Sequence, residues 1–316
     1  MAKTKPKHRP LLHMRNNEDQ VYLNLCGRYS DCIDSAVDLA CNAYGWLMPR
    51  NAPDYYSSPF SLYRSMIERA DACSVLVRAG STETCSYQIR GIFEAELMLM
   101  YMLSANLKVR ARLFAYCRLR DGLRAVKRIS SSESESIVVK RDLEHDSVLS
   151  SFASLKDHSV VIAEYESMMN GPKYSAIKTK YIDPVSKNNR APWYQFDGGA
   201  TSIEQLARMC GYGGRYEFLY RDWSKTVHVQ NASDGVVHSQ DSSGIRPIRL
   251  PCNNIGVVVQ YATASLTHGM ILLMDRVGVG QEIRQRLLQQ YEQDVSPKIK
   301  PIYQEKEDVI TVRDPK

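Results

Sequence analysis

The 316-residue sequence predicts an all-α protein, and three observations lead there. Apolar residues recur at helical spacing through long stretches, capping residues and helix breakers bracket those stretches, and strand-like alternation is confined to residues 246–250. No internal repeat of roughly 20 to 50 residues is visible. The architecture expected is therefore a helical bundle.

The elements follow in order. Asn17 is placed to cap a first helix over 18–46, with Val21, Leu25, Cys32, Val37 and Ala40 as its apolar stripe and Pro49 beyond its end. Ser58 followed by Pro59 starts a second helix that runs to Arg78, and Gly80 stops it. Residues 81–84 open a third helix, 89–103, which is apolar nearly all round and so belongs inside a bundle, with Met98, Met100 and Met102 as core filler. A basic helix follows over 108–129, then a serine-rich exposed loop at 130–136 and a long helix over 143–169 with Val148, Phe152, Leu155, Val160 and Tyr165 inward. Gly171 and Pro172 break that helix, and 171–200 is expected to be irregular. Ser202 caps a short helix that Gly211 closes. Helices are expected over 216–229, 253–276 and 281–293, with a polar loop at 231–244 and breaks at Gly278 and Gly280.

Five regions result: a tail and first helix (1–57), the first half of the bundle (58–107), a basic helix with loop, long helix and irregular stretch (108–200), the second half of the bundle (201–295), and a charged peripheral tail (296–316). The 44% hydrophobic and 24% charged composition is that of a globular protein, and no apolar run is long enough for a membrane span. The basic N-terminus lacks the apolar segment of a secretory signal. Eight scattered cysteines without a Cys-x-x-Cys pair argue for reduced thiols and a cytoplasmic location, not for zinc or a disulfide framework.

Net charge is +6, concentrated in one stretch. Lys108, Arg110, Arg112, Arg118, Arg120, Arg124, Lys127 and Arg128 place eight cations in 21 residues against one acid, Asp121. Such a stretch suits nucleic-acid phosphates, or equally a solvated helix face.

The candidate chemistry lies over 216–228. Arg221 and His228 are seven residues apart, near two helical turns, so they share a face with Ser224 between them. A guanidinium, a hydroxyl and an imidazole in a row can hold a phosphodiester and move protons around it. Spacing of this kind arises about once or twice by chance in such a sequence, and the polar Asp222 after the arginine lowers that to roughly a quarter of a match. An alternative use of the same residues is structural, with Arg221 and His228 hydrogen-bonded to Glu94 or Glu96 in a buried polar network.

Residues 88–96 (with Arg90, Glu94 and Glu96), 203–207 and 216–228 together resemble a family of bacterial helical proteins of unassigned function. In it an Arg-x-x-x-Glu helix precedes a Tyr-x-x-x-Tyr-x-x-x-Ser-x-x-x-His helix, matched here by Arg90, Glu94, Tyr216, Tyr220, Ser224 and His228. That family is similar in turn to the HEPN superfamily (higher eukaryotes and prokaryotes nucleotide-binding), whose ribonucleases carry an Arg-polar-x(3 to 5)-His motif. The resemblance covers about residues 60–275. It implies a HEPN-like bundle with the basic helix and irregular excursion inserted, and metal-independent RNA cleavage without a cofactor. On it His228 handles the proton, Arg221 holds the phosphate, Asp222 and Ser224 orient them, and Arg90, Glu94, Tyr216 and Tyr220 support the site. It also implies RNA as partner, a homodimer, a regulatory or antitoxin protein, and a toxin or antiviral-defence role. The long region 108–200 departs from a compact HEPN bundle.

The competing class is a non-catalytic helical interaction module that binds a partner protein or nucleic acid. Other candidates are weaker. His145 and His158 lack partners at metal-ligand spacing, Gly278 and Gly280 lack a dinucleotide-loop context, and Ser265 with His268 has no nucleophile elbow. Trp193, Tyr194 and Phe196 suit either base stacking or the plugging of a bundle end.

Overall fold

The structure, a computed structural model, describes residues 17–49, 51–183, 191–227, 236–238, 243–245, 248–249 and 255–304. It is all-α, with one short antiparallel pair, β1 (Val236–His238) against β2 (Ser243–Ile245), in the register Val236 to Ile245. The helices are α1 (Asn17–Leu47), α2 (Ser57–Arg78), α3 (Cys85–Ser104), α4 (Leu107–Ile129), α5 (Ser136–Glu144), α6 (Ser159–Asn170), α7 (Pro172–Ile177), α8 (Ile203–Met209), α9 (Gly213–Arg215), α10 (Arg221–Val227), α11 (Ile255–Val277), α12 (Gln281–Gln290) and α13 (Ser296–Gln304). Chain contacts divide it into two compact units: Met1–Pro53, Pro59–Leu103 and Ala207–Lys316 form the first, Asp54–Ser58 and Ser104–Leu206 the second.

In the first unit α1 lies along α11, and α12 and α13 also pack on α1. The buried apolar residues of α1 are Tyr22, Cys26, Tyr29, Cys32, Ile33, Ala36, Leu39, Ala40, Ala43 and Leu47, so Cys32 and Ala40 of the expected stripe are inward while Val21 is 71% exposed. Small and weakly polar residues make up much of this face. Ser30 and Ser74 join α1 to α2 through their hydroxyls at 2.7 Å, and Arg78 of α2 bridges Asp31 and Asp34. The Tyr63 hydroxyl of α2 donates to the Leu266 carbonyl of α11 at 3.0 Å. Gly269 makes that approach possible, because a Cβ there would stand 2.8 Å from the Tyr63 ring. Helix α3 is buried nearly all round, as its apolar density predicts, with Ile89, Ile92, Phe93, Leu97, Leu99 and Met102 inaccessible. Helix α11 is long and apolar enough to cross a membrane by composition, and in this unit it is a core helix with Val259, Ala262, Leu266 and Leu273 buried. The segment after Pro297 is not peripheral throughout: Ile299 and Ile302 of α13 are buried.

In the second unit α4 is the central element, packed by α5, α6 and α7 and by the 3-10 turns Asp54–Tyr56 and Trp193–Gln195. Its apolar face, Ala111, Leu113, Phe114 and Cys117, is buried. Trp193 meets Phe114 edge-on at 5.6 Å, and Trp193, Tyr194 and Phe196 are all buried as a plug.

The expected single helix over 143–169 is instead α5 and α6 separated by turns. Asp146 accepts the backbone N–H groups of Val148 and Leu149, and Asp157 accepts that of Ser159 at the start of α6. Short acidic side chains here satisfy backbone donors that a continuous helix would need, so the chain turns. Val148, Phe152 and Val160 are consequently exposed, not inward. Residues 172–182 are also more regular than expected, α7 continuing into a π-helical turn over Lys178–Ile182. The cap at Ser202 is present, its Oγ accepting the Gln205 N–H at 3.1 Å, and Gly211 closes α8 with φ of 77°.

Candidate functional site

The first unit contains a polar belt built from α3, the segment 212–227 and α11. Glu94 and Glu96 are two residues apart on α3, about 200° around a helix, so the two carboxylates face opposite ways.

Glu94 serves one side. Its Oε1 lies 3.0 Å from Arg90 Nε, one turn earlier, and accepts the Tyr220 hydroxyl at 2.6 Å, while Arg90 Nε also reaches that hydroxyl at 3.2 Å. The Arg90 guanidinium sits 5.2 Å from the Tyr220 ring centroid. Burial, together with the bond to Glu94, raises the Tyr220 phenol well above its ordinary range.

Glu96 serves the other side and is fully buried. Its Oε1 receives Tyr212 Oη at 2.9 Å and His268 Nδ1 at 2.8 Å, and its Oε2 receives Tyr261 Oη at 2.9 Å and Ser265 Oγ at 2.8 Å. Residues 261, 265 and 268 are spaced by four and three on α11, which sets all three on one helix face. Burial pushes the Glu96 carboxyl upward, but the hydrogen bonds from His268, Ser265 and Tyr261 and the charge of His268 prevail and hold it below the ordinary range. Phe93 lies between the two carboxylates' systems, with ring centroids 6.4 Å from Tyr212, 5.2 Å from Tyr220 and 6.3 Å from Tyr261.

The motif helix begins with a π-helical turn, Tyr216–Tyr220, between α9 and α10. A π turn aligns residues five apart. Accordingly Arg221 stands 5.3 Å from the Tyr216 ring centroid, and Tyr216 stacks on Tyr220 at 5.0 Å. Arg221 is about half exposed and pairs through Nε with Glu217 Oε2 at 2.6 Å, while Arg208 Nη2 holds the other oxygen at 2.9 Å. One carboxylate thus faces two guanidiniums. Asp222 is exposed and lies 3.8 Å from Lys225. Trp223 packs against Tyr261 and is buried, and Ser224 is half-buried. Helix α10 is α-helical to Val227; His228 lies outside the described residues.

The cations of α4 belong to the second unit and serve it in several ways. Arg110 pairs with Asp197 at 3.3 Å, Arg112 with Asp54 at 3.8 Å, Arg120 with Asp121 at 3.0 Å and Lys127 with Glu166 at 2.8 Å. Arg124 lies 3.7 Å from Asp121. Lys108, Arg118 and Arg128 are exposed, Arg118 lying over the Phe114 ring.

Sequence reasoning therefore placed Arg90, Glu94, Tyr216, Tyr220 and Arg221 in one neighbourhood, which the structure brings together. It passed over Glu217 and Arg208 beside Arg221, and it gave no weight to the convergence of Tyr212, Tyr261, Ser265 and His268 on Glu96. The only local signal for that convergence was the spacing of 261, 265 and 268. Among the described residues no group of three or more His, Cys, Asp or Glu side chains is placed to hold a metal ion.

No curated protein and no solved structure matches this chain. The sequence does match a family of unknown function, DUF5677, over residues 56–245, a span that includes Arg90, Glu94, Glu96, Tyr212 and Arg221 and ends before α11. With more than half of its length covered, this chain belongs to that family.

Proposed function

We infer that this protein is a metal-independent, HEPN-like endoribonuclease whose reaction takes place at the exposed face of α10. The supporting observation is the state of Arg221: it is about half exposed beside Arg208, while Glu94 and Glu96, the acids that would have buried it, are engaged elsewhere. An arginine on an exposed face suits a phosphodiester oxygen. On this reading Arg221 and Arg208 hold the scissile phosphate, and His228, four residues after Ser224 in the sequence, takes or returns the proton. The ribose 2′-hydroxyl loses its proton and attacks phosphorus. The 5′ oxygen leaves and is protonated, giving a cyclic phosphate and a free 5′-hydroxyl. RNA is then the partner, a second copy of the chain completes the site as in other HEPN ribonucleases, and a regulatory protein restrains it. Free thiols at all seven described cysteines suit a reducing cytoplasm.

The test is incubation of the purified chain with RNA in EDTA. Wild type cuts, and Arg221→Ala and His228→Ala do not, with circular dichroism unchanged. Cleavage that survives both substitutions, or none by wild type, removes the proposal.

A second reading, a non-catalytic interaction module, is favoured by the apolar exposure in the second unit, where Ile137, Val148, Phe152 and Val160 are each more than 60% exposed. It gains if wild type is silent toward RNA with the partner absent.

A further inference from the structure

The proposed cleavage site leaves unused the most completely buried ionised group in the first unit and the histidine attached to it. Glu96 accepts four hydrogen bonds, two on each oxygen. Three come from hydroxyls, which hold the carboxylate in place. The fourth partner, His268, is different because its side chain is one-third exposed while that of Glu96 is 1% exposed. The imidazole therefore reaches from a buried carboxylate to solvent. Since Glu96 is held in its ionised form, the nitrogen facing it, Nδ1, carries the hydrogen. Nε2 forms no hydrogen bond among the described residues and keeps its lone pair for something outside.

A cation lies over the neighbouring tyrosine ring. The Tyr212 ring, whose centroid is 6.3 Å from that of His268, carries the exposed Arg215 guanidinium 4.1 Å from its own centroid. Arg215 makes no ion pair among the described residues, unlike Arg90, Arg208 and Arg221, each of which is matched by a glutamate. Its charge extends to the Tyr212 and Tyr261 phenols, the other titratable groups that, with Glu96, surround His268. An arginine with no ion pair among the described residues and an imidazole whose Nε2 makes no hydrogen bond among them, both set against the Tyr212 ring, form a pair that complements a phosphoryl group. The guanidinium fork takes two oxygens and the imidazole shares a proton with the third.

We propose that Arg215 and His268 form a phosphoryl-binding site on the first unit, with Glu96 as the positioning residue that fixes His268 Nδ1 and leaves Nε2 to exchange a proton with the bound phosphoryl oxygen. The site is separate from the Arg221 face and does not depend on whether that face cuts RNA. The phosphoryl group is either free phosphate or a terminal phosphate monoester of an RNA strand, each of which offers three unesterified oxygens and titrates near neutral pH.

Long-range proton–nitrogen spectra of the full chain with ¹⁵N-labelled histidine test this. At alkaline pH the spectrum of His268 should show hydrogen on Nδ1 and a bare Nε2. Near neutral pH, inorganic phosphate should move Nε2 saturably toward its protonated position, and Arg215→Ala should weaken that response about tenfold or more while leaving the Nδ1 pattern intact. Arg215 is exposed, so this variant tests binding and not folding. A short oligoribonucleotide with a 5′-phosphate that acts at lower concentration than phosphate identifies the RNA terminus as the source, and the opposite order identifies free phosphate. Hydrogen on Nε2 at alkaline pH, an Nε2 resonance indifferent to both ligands, or a full response in Arg215→Ala would each overturn the proposal.

Discussion

The buried surroundings of Glu96 and the exposed face of α10 share the first unit, yet they use charge in opposite ways. Around Glu96 every oxygen lone pair is claimed by a side chain of α11 or of the turn before α9, which favours the ionised carboxylate. On α10 the charges meet in solvent: Arg221 and Arg208 share one glutamate, and Asp222 and Lys225 are loosely opposed. A buried carboxylate stripped of its donors costs several kcal/mol, whereas an exposed ion pair contributes about 0 to 1 kcal/mol. The first arrangement can hold helices in register. The second is unsuited to that and free to meet a ligand.

Four measurements would break or sharpen this contrast. The largest effect is expected from Glu96→Ala, which leaves three hydroxyls and an imidazole without their acceptor and opens a cavity. Urea unfolding should show a loss of about 3 to 5 kcal/mol, and a loss under about 1 kcal/mol would mean that the network does not support the fold. Acid comes next. The Glu96 carboxyl is held below its ordinary value, so its contribution is complete above the unfolded-state pKa, near 4.3, and is lost as pH falls through the lower folded value. Wild-type stability should therefore fall below about pH 4, and Glu96→Gln, less stable at neutral pH, should show a flatter acid limb. Equal slopes in the two proteins would contradict the assignment.

Glu94→Gln is intermediate, because Arg90 and Tyr220 lose a charged partner only in a partly exposed setting. We expect about 1 to 2 kcal/mol, a few degrees in Tm. Arg221→Ala should be smallest, within about 0.5 kcal/mol of wild type. A loss there as large as that of Glu94→Gln would make Arg221 a packing residue and erase the contrast.

The sequence spoke most clearly where local chemistry decides structure. Ser58 and Pro59, Gly80, Ser202 and Gly211 bracket α2 and α8 closely, because caps and breakers act within a turn. It misled where local signals compete: Asp146 and Asp157 divide α5 from α6 although the apolar spacing there suits one helix. The phase of α1 was legible at Cys32 and Ala40 and not at Val21, because Ala, Cys and Tyr line much of its inner face. In the candidate site, Arg90 and Glu94 were legible as an i, i+4 pair, and Tyr216, Tyr220 and Arg221 as one helix. The partnership of Glu96 with His268 was not, since 172 residues separate them and only tertiary packing brings α11 against α3. The nearness of Arg221 to Tyr216 depends on a π turn, which no spacing argument built on 3.6 residues per turn contains.

The division of labour between the two regions is tested most directly by assaying RNA cleavage in EDTA alongside thermal melting for wild type and Arg221→Ala. The account predicts that wild type cuts, that the variant loses at least a hundredfold in rate, in the range for removing a group that stabilises charge at a reacting phosphate, and that their melting curves coincide. A variant that cuts as well as wild type, or one that melts several degrees lower, would contradict it.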